Sequence, residues 1–181
     1  MKNKIIPIHY INQLTDTKDE FWKDKSCGIC SIQMLISFQK PEVAKIPVME
    51  LLDRCRELGG YVENIGWRHD TLLKLAHEYG VNADYQKVFY GREKTKEEGL
   101  TFIDKKLIKG EPVMASIHFA FDPSRGGHLV LVNGYQKEEK DIVGYHILDP
   151  YPNKRGSEYF VTQEDFLRGW RGGLIWLTEE K

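Results

Sequence analysis

Pro112 separates two halves of the sequence that differ in periodicity, and no other feature restricts the fold as much. Before it, apolar residues recur at helical spacing. Val48, Leu51, Leu52, Cys55 and Leu58 form one such stripe, opened by Pro47 and closed by Gly59-Gly60. Ser26 stands at an N-cap position ahead of a helix over Cys27–Phe38, whose Ile32, Leu35 and Ile36 form an apolar face with Ile29 and Phe38 nearby. Asp70 caps a third helix carrying Leu72, Leu75, Ala76 and Tyr79, with Gly80 as its stop. Thr95 followed by Glu98 makes a capping box for a fourth helix that ends near Gly110. Beyond Pro112 the runs Val113–Phe119, Leu129–Tyr135, Val143–Leu148 and Leu174–Leu177 are short and rich in β-branched and aromatic residues, so they read as strands. Thr162–Trp170 reads as a short helix among them, Ile5–Gln13 as a short extended segment and Thr15–Lys25 as a polar loop. Helices first and strands later specify an α+β fold built around an antiparallel sheet. The 181 residues suit one domain, with a helical lobe over about 14–110 and a sheet lobe over about 111–181 plus the N-terminal segment.

Charge and cysteine usage narrow the function. Lys and Arg number 26 against 27 Asp and Glu, a net charge of −1, so no broad field draws nucleic acid or an anionic membrane. Three cysteines, two of them close together, make a poor disulfide framework and favour a reducing compartment. Met1-Lys-Asn-Lys-Ile-Ile-Pro7 lacks a signal-peptide core, and no apolar run approaches the roughly 20 residues that span a bilayer. The expected location is the cytoplasm. No cofactor or metal is expected, and oligomeric state is not legible.

Cys27 falls at the first turn of its helix, where unpaired backbone N–H groups favour a thiolate over a thiol, and Gly28 leaves room for a substrate. A cysteine there suits a nucleophile, which needs a base. Of six histidines His128 is the best placed, at the mouth of the run His-Leu-Val-Leu-Val and after the flexible pair Gly126-Gly127. Asp149 ends the strand Gly144–Leu148 just before Pro150 and suits the group that orients the histidine. With the hairpin turn placed at Glu138-Glu139, His128 and Asp149 lie directly opposite each other. The imidazole then gives Nδ1–H to the carboxylate and presents Nε2 to Cys27. The backbone N–H of Cys27 and the amide of Gln13 are candidate donors to an oxyanion. Arg125 and Arg155 lie near enough to meet an acidic group, and Phe21-Trp22 is placed to line a groove.

Other readings compete. Cys27-Gly-Ile-Cys30 is a C-x-x-C pair, which suits thiol–disulfide exchange or half of a zinc site. The preceding segment is not a strand, and neither a second C-x-x-C nor an H-x-x-x-H completes a zinc set. An acyltransferase using the same three residues and a non-catalytic peptide-binding module are the remaining alternatives.

These residues resemble the bacteriocin-leader (double-glycine) peptidase-like branch of the papain-like cysteine peptidases. The resemblance rests on Pro7-Ile-His-Tyr-Ile-Asn-Gln13, Cys27-Gly-Ile-Cys-Ser31, Gly127-His128-Leu-Val-Leu-Val-Asn-Gly-Tyr135 and Leu148-Asp149-Pro150, in that order over most of the chain. It implies Cys27 as nucleophile, His128 as general base and acid, Asp149 as orienter and Gln13 as oxyanion donor. It further implies a helical lobe bearing the cysteine against a sheet lobe bearing the histidine, and a peptide or amide substrate cleaved through an acyl-enzyme. Three departures are visible: Ile29 stands where the pattern has proline, Cys30 where it has a small residue, and the interval from Gln13 to Cys27 is long.

Overall fold

The computed structural model describes residues 2–87 and 93–179, with the side chains of residues 87 and 93–95 left aside. Seven strands form one antiparallel sheet in the order β4-β9-β5-β6-β7-β8: β4 (Ala83–Lys87), β9 (Trp170–Leu177), β5 (Val113–His118), β6 (Gly127–Glu138), β7 (Asp141–Asn153) and β8 (Gly156–Thr162). The seventh, β1 (Lys2–Ile5), pairs with residues 134–137 of β6, continuing the edge that β5 covers over residues 127–132. Two short strands, β2 (Tyr61–Val62) and β3 (Gly66–Trp67), form a separate hairpin. The fold is the α+β arrangement of helices with an antiparallel sheet that the sequence specifies.

One face of the sheet carries the central helix α3 (Cys27–Gln39) together with α4 (Val48–Glu57) and α5 (His69–Glu78), over a core that includes Ile29, Ile32, Leu51, Leu72, Leu129 and Leu131. On the other, Ile103 and Leu107 of α6 (Glu93–Lys109) and Phe166 of α7 (Gln163–Gly169) pack with Val130, Val132, Tyr145 and Ile147. The capping box expected at Thr95 lies outside the described side chains. Among the described residues no helix is long and apolar enough to cross a membrane.

The helix α3 differs from its expected amphipathic form, since every residue from Gly28 to Ser37 is buried. Its polar side chains are satisfied locally or by the sheet. Ser31 donates to the Leu129 carbonyl at 2.9 Å, Gln33 Nε2 donates to the carbonyls of Val43 and Ile46, and Ser37 donates to Met34. Buried hydroxyls and amides with backbone partners cost little, so the helix can sit between lobe and sheet without an outward face. The loop ahead of it also holds two short helices, α1 (Gln13–Asp16) and α2 (Glu20–Lys23), capped by the side chains of Asn12 and Asp19. Both are single turns with little apolar periodicity, which is why the segment reads as a loop.

Candidate active site

Three local structures bring Cys27, His128 and Asp149 together. Cys27 opens α3, with Ser26 at the N-cap. The Ser26 hydroxyl makes no capping bond; it is buried and lies 2.7 Å from the hydroxyl of Thr17, with Cys30 Sγ 4.0 Å away. Gly28 is required by packing: a Cβ there would fall 2.7 Å from Cδ1 of Trp67. Trp67 donates Nε1–H to the Lys25 carbonyl at 2.6 Å and meets Tyr61 and Trp22, so an aromatic cluster fixes the start of the helix. Phe21 stands exposed beside this cluster, under the ammonium of Lys25.

His128 lies second in β6 and Asp149 near the middle of β7. Nε2 of His128 is 2.6 Å from Oδ1 of Asp149, and the ring is also hydrogen-bonded to the Cys27 thiol. This reverses the expected ring orientation: Nε2 serves the carboxylate, which leaves Nδ1 for the sulfur. The register differs too. The turn falls one residue later, with Glu138 paired to Asp141 and Glu139 at φ 52°. Val143 bulges from β7 and Asn133 from β6, and the last ladder pair is Leu131 with Leu148. Continued in that frame, His128 lies opposite Tyr151 rather than Asp149. The two bulges sit on opposite strands and cancel, so the shift amounts to two residues. His128 and Asp149 therefore remain on one face as diagonal neighbours, within reach of an imidazole and a carboxylate.

Asp149 is fully buried and saturated with donors. Oδ1 accepts from His128 and from the Tyr151 N–H at 2.9 Å, while Oδ2 accepts from the Tyr159 hydroxyl at 2.8 Å and from Asn153 Nδ2 at 3.1 Å. Tyr10 donates to its backbone carbonyl at 3.0 Å. Such convergence leaves neither oxygen of the buried carboxylate without a partner. Burial opposes the charge on His128, but hydrogen bonds to Asp149 and Cys27, and the charges of both, outweigh it and push the imidazole up to about 10. Phe119 covers the ring edge-on at a centroid distance of 5.2 Å.

Gln13 begins α1, is 1% exposed, and gives its amide to the Lys23 carbonyl at 2.6 Å, while its Oε1 is buried without a partner. The long interval between Gln13 and Cys27 is occupied by α2. Arg155 lies over the Tyr159 ring and Arg125 over that of Phe119.

The cysteines are not equivalent. Cys27 is partly exposed, whereas Cys30 and Cys55 are buried. Burial pushes both buried thiols up to about 12, so neither is a ready thiolate for exchange. Among the described residues no three His, Cys, Asp or Glu side chains gather in a set that could hold a metal ion.

Sequence reading missed Tyr159, Asn153, Tyr10 and Phe119 around the imidazole–carboxylate pair. A signal for Tyr159 was present: Asn153-Lys-Arg-Gly156 is a turn followed by Tyr-Phe-Val, a β-prone run that forms β8.

Comparison with known proteins agrees with this fold. The Peptidase_C39 like family matches residues 5–172. Three solved structures share the fold. A double-glycine motif protease from an AMS/PCAT transporter, solved with its leader peptide, superposes with a TM-score of 0.60 at 18% identity, over 97% of this chain and 94% of that one. A protein from Bacillus anthracis assigned as a C39-like peptidase gives 0.68 at 18% identity over 100% of both chains. The peptidase domain of Streptococcus ComA, a bifunctional ABC transporter of a quorum-sensing pathway, gives 0.60 at 17% identity over 87% of this chain and 93% of that one. No curated protein matches the sequence significantly. The chain belongs to the Peptidase_C39 like family.

Proposed function

We propose that this protein is a cysteine peptidase that cleaves a peptide or amide bond through Cys27, His128 and Asp149. The observation that carries the reading is the imidazole of His128, bonded at Nε2 to a buried carboxylate and on its other side to a thiol at a helix start. In the proposal His128 takes the thiol proton through Nδ1, and the Cys27 sulfur attacks the carbonyl carbon. The tetrahedral intermediate collapses as His128 hands the proton to the departing amine, leaving an acyl-enzyme. Water then attacks the acyl carbon as its proton passes to His128, and the C–S bond breaks to release the acid and return the Cys27 sulfur as the leaving thiolate. Asp149 holds the ring and stabilises its charged form. The Cys27 backbone N–H and the second amide N–H of Gln13 serve as oxyanion donors in this scheme. A peptide substrate is supported by the family and by the leader peptide bound to the transporter protease of the same fold. The reducing state suggested by three free cysteines supports a cytoplasmic location.

The test is cleavage of a mixed-sequence peptide library followed by mass spectrometry. Wild type is expected to give new termini that disappear in C27A and H128A and drop about tenfold or more in Q13A, in line with the loss of one oxyanion donor. Cleavage that persists in C27A would defeat the assignment.

A further inference from the structure

The pair Cys27-Gly-Ile-Cys30 has one member that the proposed chemistry does not use. Cys30 is fully buried, three residues along α3 from Cys27. The Cys30 N–H donates to the Ser26 carbonyl at 2.9 Å, so the turn that joins the two cysteines is α-helical. Residues three apart in such a turn are neighbours on one face, with Cα atoms about 5 Å apart. That separation falls inside the range of about 4.4–6.8 Å that a disulfide spans. The Cβ atoms, roughly 5–6 Å apart in a regular helix, must close to about 4 Å. The first turn of a helix can give that much, because its leading N–H groups are not tied into the helical ladder. Helical side chains also lean toward the N-terminus, which turns Cys30 back to the turn that carries Cys27. The structure shows this lean: Cys30 Sγ lies 4.0 Å from the hydroxyl of Ser26, the residue before Cys27.

The two sulfurs differ in the way a two-step oxidation requires. Cys27 is partly exposed and bonded to the imidazole of His128. Cys30 is held as a thiol by burial, with its S–H toward Ser26 and the Thr17 hydroxyl 2.7 Å beyond. Cys30 therefore does not compete for an oxidant from solvent. It meets only what Cys27 becomes.

We propose that Cys27 and Cys30 form a peroxide-reactive dithiol, in which a hydroperoxide oxidises Cys27 and Cys30 then closes a disulfide that blocks the nucleophile and protects it from further oxidation. The inference rests on Cys27 being the activated thiol of the proposed function. The Cys27 thiolate attacks one oxygen of the hydroperoxide, the O–O bond breaks, and the other oxygen leaves with the proton held by His128, as water or an alcohol. Cys27 is then a sulfenic acid. The Cys30 sulfur attacks the Cys27 sulfur, the S–S bond forms as the S–O bond breaks, and the hydroxyl leaves with the Cys30 proton as water. The sulfur pair loses two electrons and the peroxide gains two. Fixed proximity to the sulfenic sulfur offsets the weak acidity of Cys30. Without Cys30 the sulfenic acid is open to a second peroxide and passes to sulfinic acid, which a thiol reductant does not reverse. A transient disulfide of this kind fits a reducing compartment, where such bonds are catalytic or sense oxidants.

The test uses the whole chain and hydrogen peroxide and needs no peptide substrate. Reduced protein is treated with peroxide, remaining thiols are capped with iodoacetamide in urea, and the tryptic peptide that begins at Ser26 is weighed. That peptide holds Cys27 and Cys30 and excludes Cys55. Wild type is expected to give it uncapped and lighter by two hydrogens, and dithiothreitol is expected to restore capping of Cys27. In C30S and C30A Cys27 is expected to be oxidised at the wild-type rate, since Cys30 acts after the first step. It then ends as sulfinic acid, so the fraction that dithiothreitol restores falls about fivefold or more. C30S, close to cysteine in size, decides the matter if C30A does not fold. Cys27 reaching sulfinic acid in wild type as fully as in C30S overturns the dithiol while leaving the nucleophile assignment intact. A disulfide through Cys55 or to a second chain does the same. Cys27 that reacts with iodoacetamide and peroxide in the native protein no faster than a small free thiol overturns both.

Discussion

Four donors converge on the two oxygens of Asp149, from His128, Tyr151, Tyr159 and Asn153. Only a carboxylate accepts from all four, because an amide turns one oxygen and one NH2 into the same space. D149N therefore sets two donors against each other whichever way the amide lies. It is expected to cost about 1–3 kcal/mol of stability as well as activity, measured by urea denaturation and peptide cleavage. Y159F removes a single donor and is expected to cost about 1 kcal/mol while most of the activity remains. At this scale the sequence was informative about residue types. Cys27, His128 and Asp149, the three residues singled out in the sequence, come into contact, and the roles of nucleophile, base and orienter are those proposed for them. The ring orientation and most ligands of Asp149 were not legible, because they depend on the irregular run between Leu148 and Asn153, where the pairing of β7 with β8 is interrupted.

At the scale of elements, the bulges in the β6–β7 hairpin decide the geometry. Counting residues from a turn assumes an uninterrupted ladder, and Asn133 and Val143 each break it. Parity survived because the bulges offset one another. The bulge at Asn133 has a second use. Ile6 donates its N–H to the Asn133 carbonyl at 2.7 Å, Asn133 Nδ2 reaches back to the Ile6 carbonyl, and Gly134 lets β1 lie close. A Cβ on Gly134 would fall 2.4 Å from the Lys4 carbonyl oxygen, so G134A is expected to push β1 off the sheet edge. Hydrogen exchange of the amides in residues 2–6 should rise sharply in that variant while α3 stays protected. Unchanged protection of β1 would refute this account of the glycine. Elements set by strong periodicity, such as α4 and α5, were readable, whereas α1 and α2 depend on single-turn caps. The expected apolar face of α3 misled for a physical reason: a helix clamped between lobe and sheet buries its polar residues as well, once each finds a backbone partner.

The whole molecule couples the site to its stability. The fold raises the affinity of His128 for its proton above the unfolded value near 6.5. A group held in this way contributes stability fully below its unfolded pKa, and that contribution is lost as pH rises through the folded value of about 10. Chemical denaturation across neutral to alkaline pH should therefore show wild type losing more stability than H128Q over the same interval. An equal loss in both would mean that the imidazole is not held in its charged form. Helix-first, strand-later order was enough to read the α+β organisation of helices with an antiparallel sheet. The strand β4, drawn from the helical half to pair with β9, was not, because that pairing is a long-range contact with no local signal.

The central claim is that one imidazole joins the Cys27 sulfur to the Asp149 carboxylate, and the most direct measurement of it is an NMR titration of the His128 ring. The account predicts titration well above 6.5, Nε2 protonated toward Asp149, and a fall in the titration midpoint when C27A removes the sulfur. A ring that titrates at or below 6.5 and does not respond to C27A would contradict it.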